Sequence, residues 1–189
     1  MKSEYKISLP PVTIEVAGDS VKSTLEQQQA NFGFLPNMYQ TMANSPAMLK
    51  TYLFGYEQFR TESDFTSCEQ EVVFIVLSRE NGCEYCVGAH SFIADNMSGV
   101  PAEVTDAIRD RSTIGDSKLQ ALATFTKVLH DTRGLPTRAD VEGFIGAGYT
   151  EKNILEIILA MSVKTLSNYS NHVCQPELDD VFSGRAWQG

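Results

Sequence analysis

Two thiols and an imidazole, Cys83, Cys86 and His90, fall within the stretch "GCEYCVGAH", residues 82–90. A helix starting around Cys83 and running to about Met97 sets them at i, i+3 and i+7, so that one face carries both sulfurs and the ring. The start of a helix presents unpaired backbone N–H groups and a partial positive charge, and both favour thiolate over thiol. His90, one turn beyond Cys86, is within reach of exchanging a proton with it directly or through a water, which supplies the base that a peroxide-attacking thiol needs. The helix dipole favours Cys83 as nucleophile, whereas the neighbouring base favours Cys86. Glu71 lies on the preceding helix and leads into the apolar run "VVFIVL" at 72–77. It could orient the imidazole or hold a water, provided that the two helices pack antiparallel across Gly82; an acid in a first helical turn is also favoured by the dipole alone.

The same residues admit a metal. Cys83, Cys86 and His90 could supply three ligands and leave an open catalytic position, but a structural zinc wants four, and no second Cys or His pair stands at a familiar spacing. The motif therefore reads as redox chemistry, with no metal and no bound cofactor. Tyr85 and Phe92 read as core or lining, and His130 and His172 have no partner at an informative spacing, although "SNYSNH" at 167–172 is unusually polar for the end of an apolar helix. Cys68 and Cys174 read as small buried hydrophobes.

The elements that must position this motif are helical, because hairpin turns and period-two alternation are nearly absent. Residues 1–20, with Pro10 and Pro11, read as an extended arm, and helical pattern begins at "SVKSTLEQQQANF". "FGFLPN" at 32–37 breaks the chain before a short helix near Met38–Ala43 and another over about Pro46–Arg60. Thr66 or Ser67, with Glu69 or Gln70 three residues on, forms a capping box for the next helix, which ends at Gly82 and is apolar on every side, as a helix enclosed by neighbours must be. Further helices run from Pro101 to Asp110, from Ser117 (capped with Gln120) through "KLQALATFTKVLH", from Thr137 to about Ala147, and from Thr150 through "NILEIILAMSVKTLSNYSNH". The expected architecture is one all-α domain of about eight helices over 21–180, followed by a tail at 181–189.

At 189 residues, one domain can bury roughly 70% of its unfolded surface, so no disulfide staple is needed. Twenty-four acidic against fifteen basic side chains give a net charge of −9 with no basic block, which disfavours nucleic acid and anionic membranes as partners. No stretch resembles a signal peptide or a membrane span, and the expected location is the cytoplasm. There a Cys-x-x-Cys pair is catalytic or metal-binding more often than structural.

The spacing Glu71, eleven residues, Cys83, two residues, Cys86, three residues, His90 resembles the signature of the alkyl hydroperoxidase D (AhpD)-like proteins of the carboxymuconolactone decarboxylase superfamily. "NGCEYCVGAH", "FGFLPNMYQTMANSPAMLKTY" and "YSNHVCQPELDDVF" are similar to its peroxidase-related branch, so the resemblance covers most of the chain from about residue 30. It implies an AhpD-like helical fold, assembly into trimers or hexamers, and thiol-dependent reduction of hydroperoxides. The implied roles are peroxide attack by Cys86, resolution by Cys83, and proton relay by His90 and Glu71, with an external dithiol as reductant. Tyr85 stands where the best-studied members carry a histidine, and true decarboxylases of the superfamily lack the cysteine pair. Between the two thiols we favour Cys86, because a base one turn away can both take the thiol proton and return one to the leaving oxygen. The alternative is a dithiol switch or protein-disulfide reductase with little peroxide turnover.

Overall fold

The computed structural model describes residues 3–189, so residues 1 and 2 of the expected arm lie outside the described residues. Among the described residues the chain is all-helical, without a strand. The α-helices are α1 (Asp19–Phe32), α2 (Asn37–Met42), α3 (Pro46–Glu62), α4 (Ser67–Glu80), α5 (Glu84–Asn96), α6 (Ala102–Arg109), α7 (Ser117–Asp131), α8 (Arg138–Gly146) and α9 (Glu151–Cys174). A 3-10 helix follows at Asp180–Arg185. Among the described residues nine α-helices and this turn stand against the about eight helices expected, and α2 answers to the short helix expected near Met38–Ala43.

The centre of the molecule is α4. Thr66 caps it, accepting from the Glu69 backbone N–H while the Glu69 carboxylate accepts from the Thr66 backbone N–H at 2.9 Å, so the first of the two possible capping boxes is the one formed. Every residue from Glu69 to Arg79 is buried, because α5, α6, α7 and α9 pack around the helix. An apolar run with no polar face has no other stable place in water. At the start of α7 the cap is Asp116, whose carboxylate accepts from Leu119 N–H at 2.9 Å, and not the expected Ser117, which is already helical.

A tight reversal joins α4 to α5. Gly82 adopts φ +69°, a left-handed conformation that costs glycine nothing, and Cys83 N–H closes the turn on Ser78 C=O at 2.9 Å. The two helices double back antiparallel, which brings Glu71 and His90 level with each other. The chain ends fold over this hairpin and its neighbour α9. The extended N-terminal segment donates from Ile7 N–H to Val173 C=O at 2.9 Å and from Val12 N–H to Gln40 C=O at 2.9 Å. The C-terminal segment crosses α5 so closely that a Cβ on Gly88 would stand 3.2 Å from the Leu178 side chain. Phe182 packs on Phe34 and Phe92, and Arg185 pairs with Asp95 and Asp106, each at 2.8 Å. Residues 181–185, expected as tail, thus form an anchored turn with Phe182 buried.

Candidate active site

All four residues singled out by spacing converge on one buried spot between α4, α5 and α9. Glu71 is fully enclosed, and its Oε2 meets His90 Nδ1 at 2.8 Å. Its other oxygen pairs with the Arg60 guanidinium of α3, which also donates to Tyr56 Oη at 2.8 Å and Gln70 Oε1 at 3.1 Å. Burial pushes the Glu71 pKa up, but His90 and Arg60 outweigh it and hold the carboxyl below its usual range. An ionised carboxylate only accepts hydrogen bonds, so the His90 proton sits on Nδ1 and Nε2 keeps its lone pair. Burial, reinforced by the positive charge of Lys164, lowers the His90 pKa to about 4 against the opposing pull of Glu71, and the ring is neutral at physiological pH.

Cys83 is not the first helical residue, as the spacing led us to expect, but the N-cap of α5, with extended backbone at φ −88° and ψ 96°. The Gly82 turn draws it off the helix. Its sulfur nevertheless stays beside that of Cys86, and one amide group, Asn171 Nδ2, donates to both, at 3.2 Å to Cys86 and 3.8 Å to Cys83. The two thiols diverge sharply in acidity. Cys83, whose proton is shared with the Cys86 sulfur, is pushed well above the usual thiol range by that bond and by burial. Burial works against ionisation of Cys86 too, but the Cys83 thiol, Lys164, Asn168 and Ser167 outweigh it and lower its pKa to about 6. These side chains, and not a backbone N–H of the helix start, favour Cys86 as the thiolate at neutral pH.

Much of this environment comes from α9, which the spacing argument did not use. Lys164, Ser167, Asn168 and Asn171 recur at i, i+3, i+4 and i+7 and are all buried. Lys164 is 1% exposed, with its ammonium 5.3 Å from the centre of the Phe74 ring, itself 4.8 Å from the His90 ring. The sequence held a signal for these residues. They occupy the turns that the apolar periodicity of α9 assigns to its inner face, and four polar residues in that register imply polar company inside.

Tyr85 does not stand in for a relay histidine. Its hydroxyl bonds to Asp179 and accepts weakly from Met38 N–H at 3.5 Å, so it ties α5 to the C-terminal segment and to α2. No hydrogen bond joins His90 to Cys86 among the described residues, and no cluster of three or more His, Cys, Asp or Glu side chains there is placed to hold a metal. His130 bridges Asn81 at 3.0 Å and Asp131 at 3.0 Å, apart from the thiols. Cys68 and Cys174 are half-buried rather than buried, and burial raises both of their pKa values.

A helical hairpin that carries Cys-x-x-Cys at the turn and pairs a glutamate with a histidine across it, enclosed by further helices, is the AhpD-like fold. Two solved structures with this fold are peroxidase-related proteins. That from Ralstonia eutropha JMP134, described as an alkylhydroperoxidase AhpD core, is 21% identical, with 92% of this chain and 93% of that one covered at a TM-score of 0.81. That from Silicibacter sp. TM1040 is 20% identical, with 97% of both chains covered at a TM-score of 0.81. A third, the debrominase Bmp8 in complex with 2,3,4-tribromopyrrole, is 16% identical over 95% of this chain and 96% of that one, with a TM-score of 0.77. No protein-family model matches the chain, and no curated protein matches it. At these identities the likeness defines the fold and leaves the reaction to the site.

Proposed function

We propose that the protein is a thiol-dependent peroxidase that reduces hydroperoxides through Cys86 and Cys83. The observation that carries this reading is the geometry of the site, two buried sulfurs that share the Asn171 amide donor on the hairpin whose two helices pair Glu71 with His90, with the surroundings favouring ionisation of Cys86 over Cys83. The Cys86 sulfur attacks one oxygen of R–O–O–H; an S–O bond forms, the O–O bond breaks, and the departing alkoxide takes a proton to leave as alcohol. The sulfenic acid then condenses with the Cys83 thiol, forming the S–S bond and releasing water, and an external dithiol returns both sulfurs to thiols. His90, neutral and with Nε2 free to accept, relays the proton released when Cys86 ionises toward solvent and stays neutral itself, through an intervening water because the two side chains make no direct bond. Glu71 fixes the ring and its tautomer and does not itself transfer the proton.

Anaerobic thiol titration before and after one equivalent of peroxide tests this directly. Loss of two thiols, mapped to Cys83 and Cys86, is expected. Full peroxide turnover by Cys86→Ser together with its loss in Cys83→Ser would reverse the two roles. The second reading, a dithiol switch or disulfide reductase, is favoured by Tyr85, whose engagement with Asp179 removes one relay arm. It predicts oxidation by peroxide no faster than that of an ordinary exposed cysteine, with disulfide exchange intact.

We also infer a homo-oligomer. Phe54 on α3 and Leu155, Ile158 and Tyr169 on α9 are large apolar side chains that a lone chain would leave in water. No helix among the described residues is long and apolar enough to cross a membrane.

A further inference from the structure

Three buried polar atoms around the thiolate lack partners they could take: Lys164 Nζ and Asn171 Oδ1 have none, and Asn168 Nδ2, with two N–H groups, has only the Cys86 sulfur. They sit on successive turns of one face of α9, on residues exposed by 1%, 0% and 5%. The other end of each amide is anchored, since Asn168 Oδ1 accepts from Asn81 Nδ2 at 2.8 Å and Asn171 Nδ2 donates to the Cys86 sulfur at 3.2 Å. The unpartnered ends are therefore fixed in direction. Leaving a buried donor or acceptor unmet costs about 1–3 kcal/mol, more for a charged one, so three together mark a place where a polar group belongs. Two are donors and one is an acceptor. A hydroperoxide group has the matching set, two oxygens that accept and one O–H that donates.

We propose that this face of α9 is the hydroperoxide subsite: Lys164 Nζ and Asn168 Nδ2 donate to the two peroxide oxygens, Asn171 Oδ1 accepts the O–H, and Lys164 protonates the departing oxygen. The assignment rests on the peroxidase reading above and adds to it the acid that the leaving group needs. As the Cys86 sulfur bonds to one peroxide oxygen and the O–O bond breaks, the electron pair moves to the other oxygen, which takes a proton from the Lys164 ammonium. The amine regains that proton from the one that Cys86 gave up on ionising, so the net change is thiol and hydroperoxide to sulfenic acid and alcohol. The ammonium also explains why one lysine is tolerated in an otherwise aromatic wall, over the Phe74 ring.

The test compares wild type, Lys164→Met and Lys164→Arg by stopped flow, with hydrogen peroxide and with iodoacetamide, each rate divided by the thiolate fraction read from absorbance at roughly 240 nm. Alkylation expels iodide and needs no acid, so it reports the nucleophile alone. For Lys164→Met, the peroxide rate per thiolate should fall about 100-fold or more, as loss of a general acid does, while the alkylation rate per thiolate stays within about threefold. Peracetic acid, whose carboxylate leaves without a proton, should recover most of the loss. Arginine keeps the charge but releases no proton, so Lys164→Arg, which covers the case of a Met variant that fails to fold, should retain the low Cys86 pKa and still lose about tenfold or more in peroxide rate. A fast wild type with an unchanged variant, or with peroxide and alkylation rates falling in parallel, overturns the role of Lys164 and leaves the peroxidase reading standing. A wild type no faster with peroxide than a free thiol overturns that reading and this one together.

Discussion

At the scale of single residues, the site divides into two buried charge pairs, Arg60 with Glu71 and Lys164 with the Cys86 thiolate, and a neutral imidazole between them. Its pH response follows. With the Cys86 pKa lowered to about 6, its alkylation rate should rise with pH through that value and level off above. Below the inflection the rate should drop about tenfold per unit as the proton returns to sulfur. His90 stays neutral down to about 4 and adds no inflection in that window, so a second break near neutrality in a stopped-flow profile would contradict the assignment. Glu71→Gln removes the charge partner of the half-buried Arg60 guanidinium and should cost about 1.5–3 kcal/mol in urea unfolding, well beyond a surface substitution. The pairing of Glu71 with His90 was legible in the sequence because both belong to one hairpin and the spacing survives projection onto it. Arg60 was not, since nothing local distinguishes a buried cation from the many that lie on surfaces, and Lys164 could be reached only through its register with the polar residues along α9.

At the scale of elements, the α4–α5 hairpin holds the two thiols and the Glu71–His90 pair, and α9 supplies most of the polar side chains that favour ionisation of Cys86. The hairpin was readable from the capping box, the all-apolar α4 and Gly82. The register of α9 against it was not, because two helices more than eighty residues apart meet through packing that no short pattern encodes. Tyr85 shows how position in a motif can mislead at this scale. It sits between the cysteines, yet its hydroxyl serves the junction of α5 with the C-terminal segment. Tyr85→Phe should therefore lower stability by about 1.5–3 kcal/mol, the range for a hydrogen bond to a charged group, while leaving the Cys86 pKa close to about 6. Tyr85→His should bring no gain in peroxide rate, for a ring placed there faces Asp179 and not the sulfur; an activated Tyr85→His variant in the same stopped-flow assay would count against this geometry.

At the scale of the whole molecule, net charge of −9 and an exposed apolar strip act in opposite directions on association. The strip on α3 and α9 should prevail locally, because burial of its apolar area outweighs a diffuse like-charge repulsion that salt screens. Leu155→Lys with Ile158→Lys should reduce the mass measured by light scattering to that of a single chain, and an unchanged mass would place the interface elsewhere. The all-α architecture was legible from periodicity alone. The outer strip was not, since apolar residues on both sides of α9 look alike until its inner side is known to be polar.

That inversion of α9, polar within and greasy without, joins two properties that are usually separate. The rod whose outer face would hold subunits together is the rod whose inner side chains lower the pKa of the sulfur, so we expect assembly and thiol reactivity to be coupled. Reactivity per chain should decline on dilution below the dissociation threshold, and alkylation rates followed across a dilution series, alongside the scattering mass, should fall together.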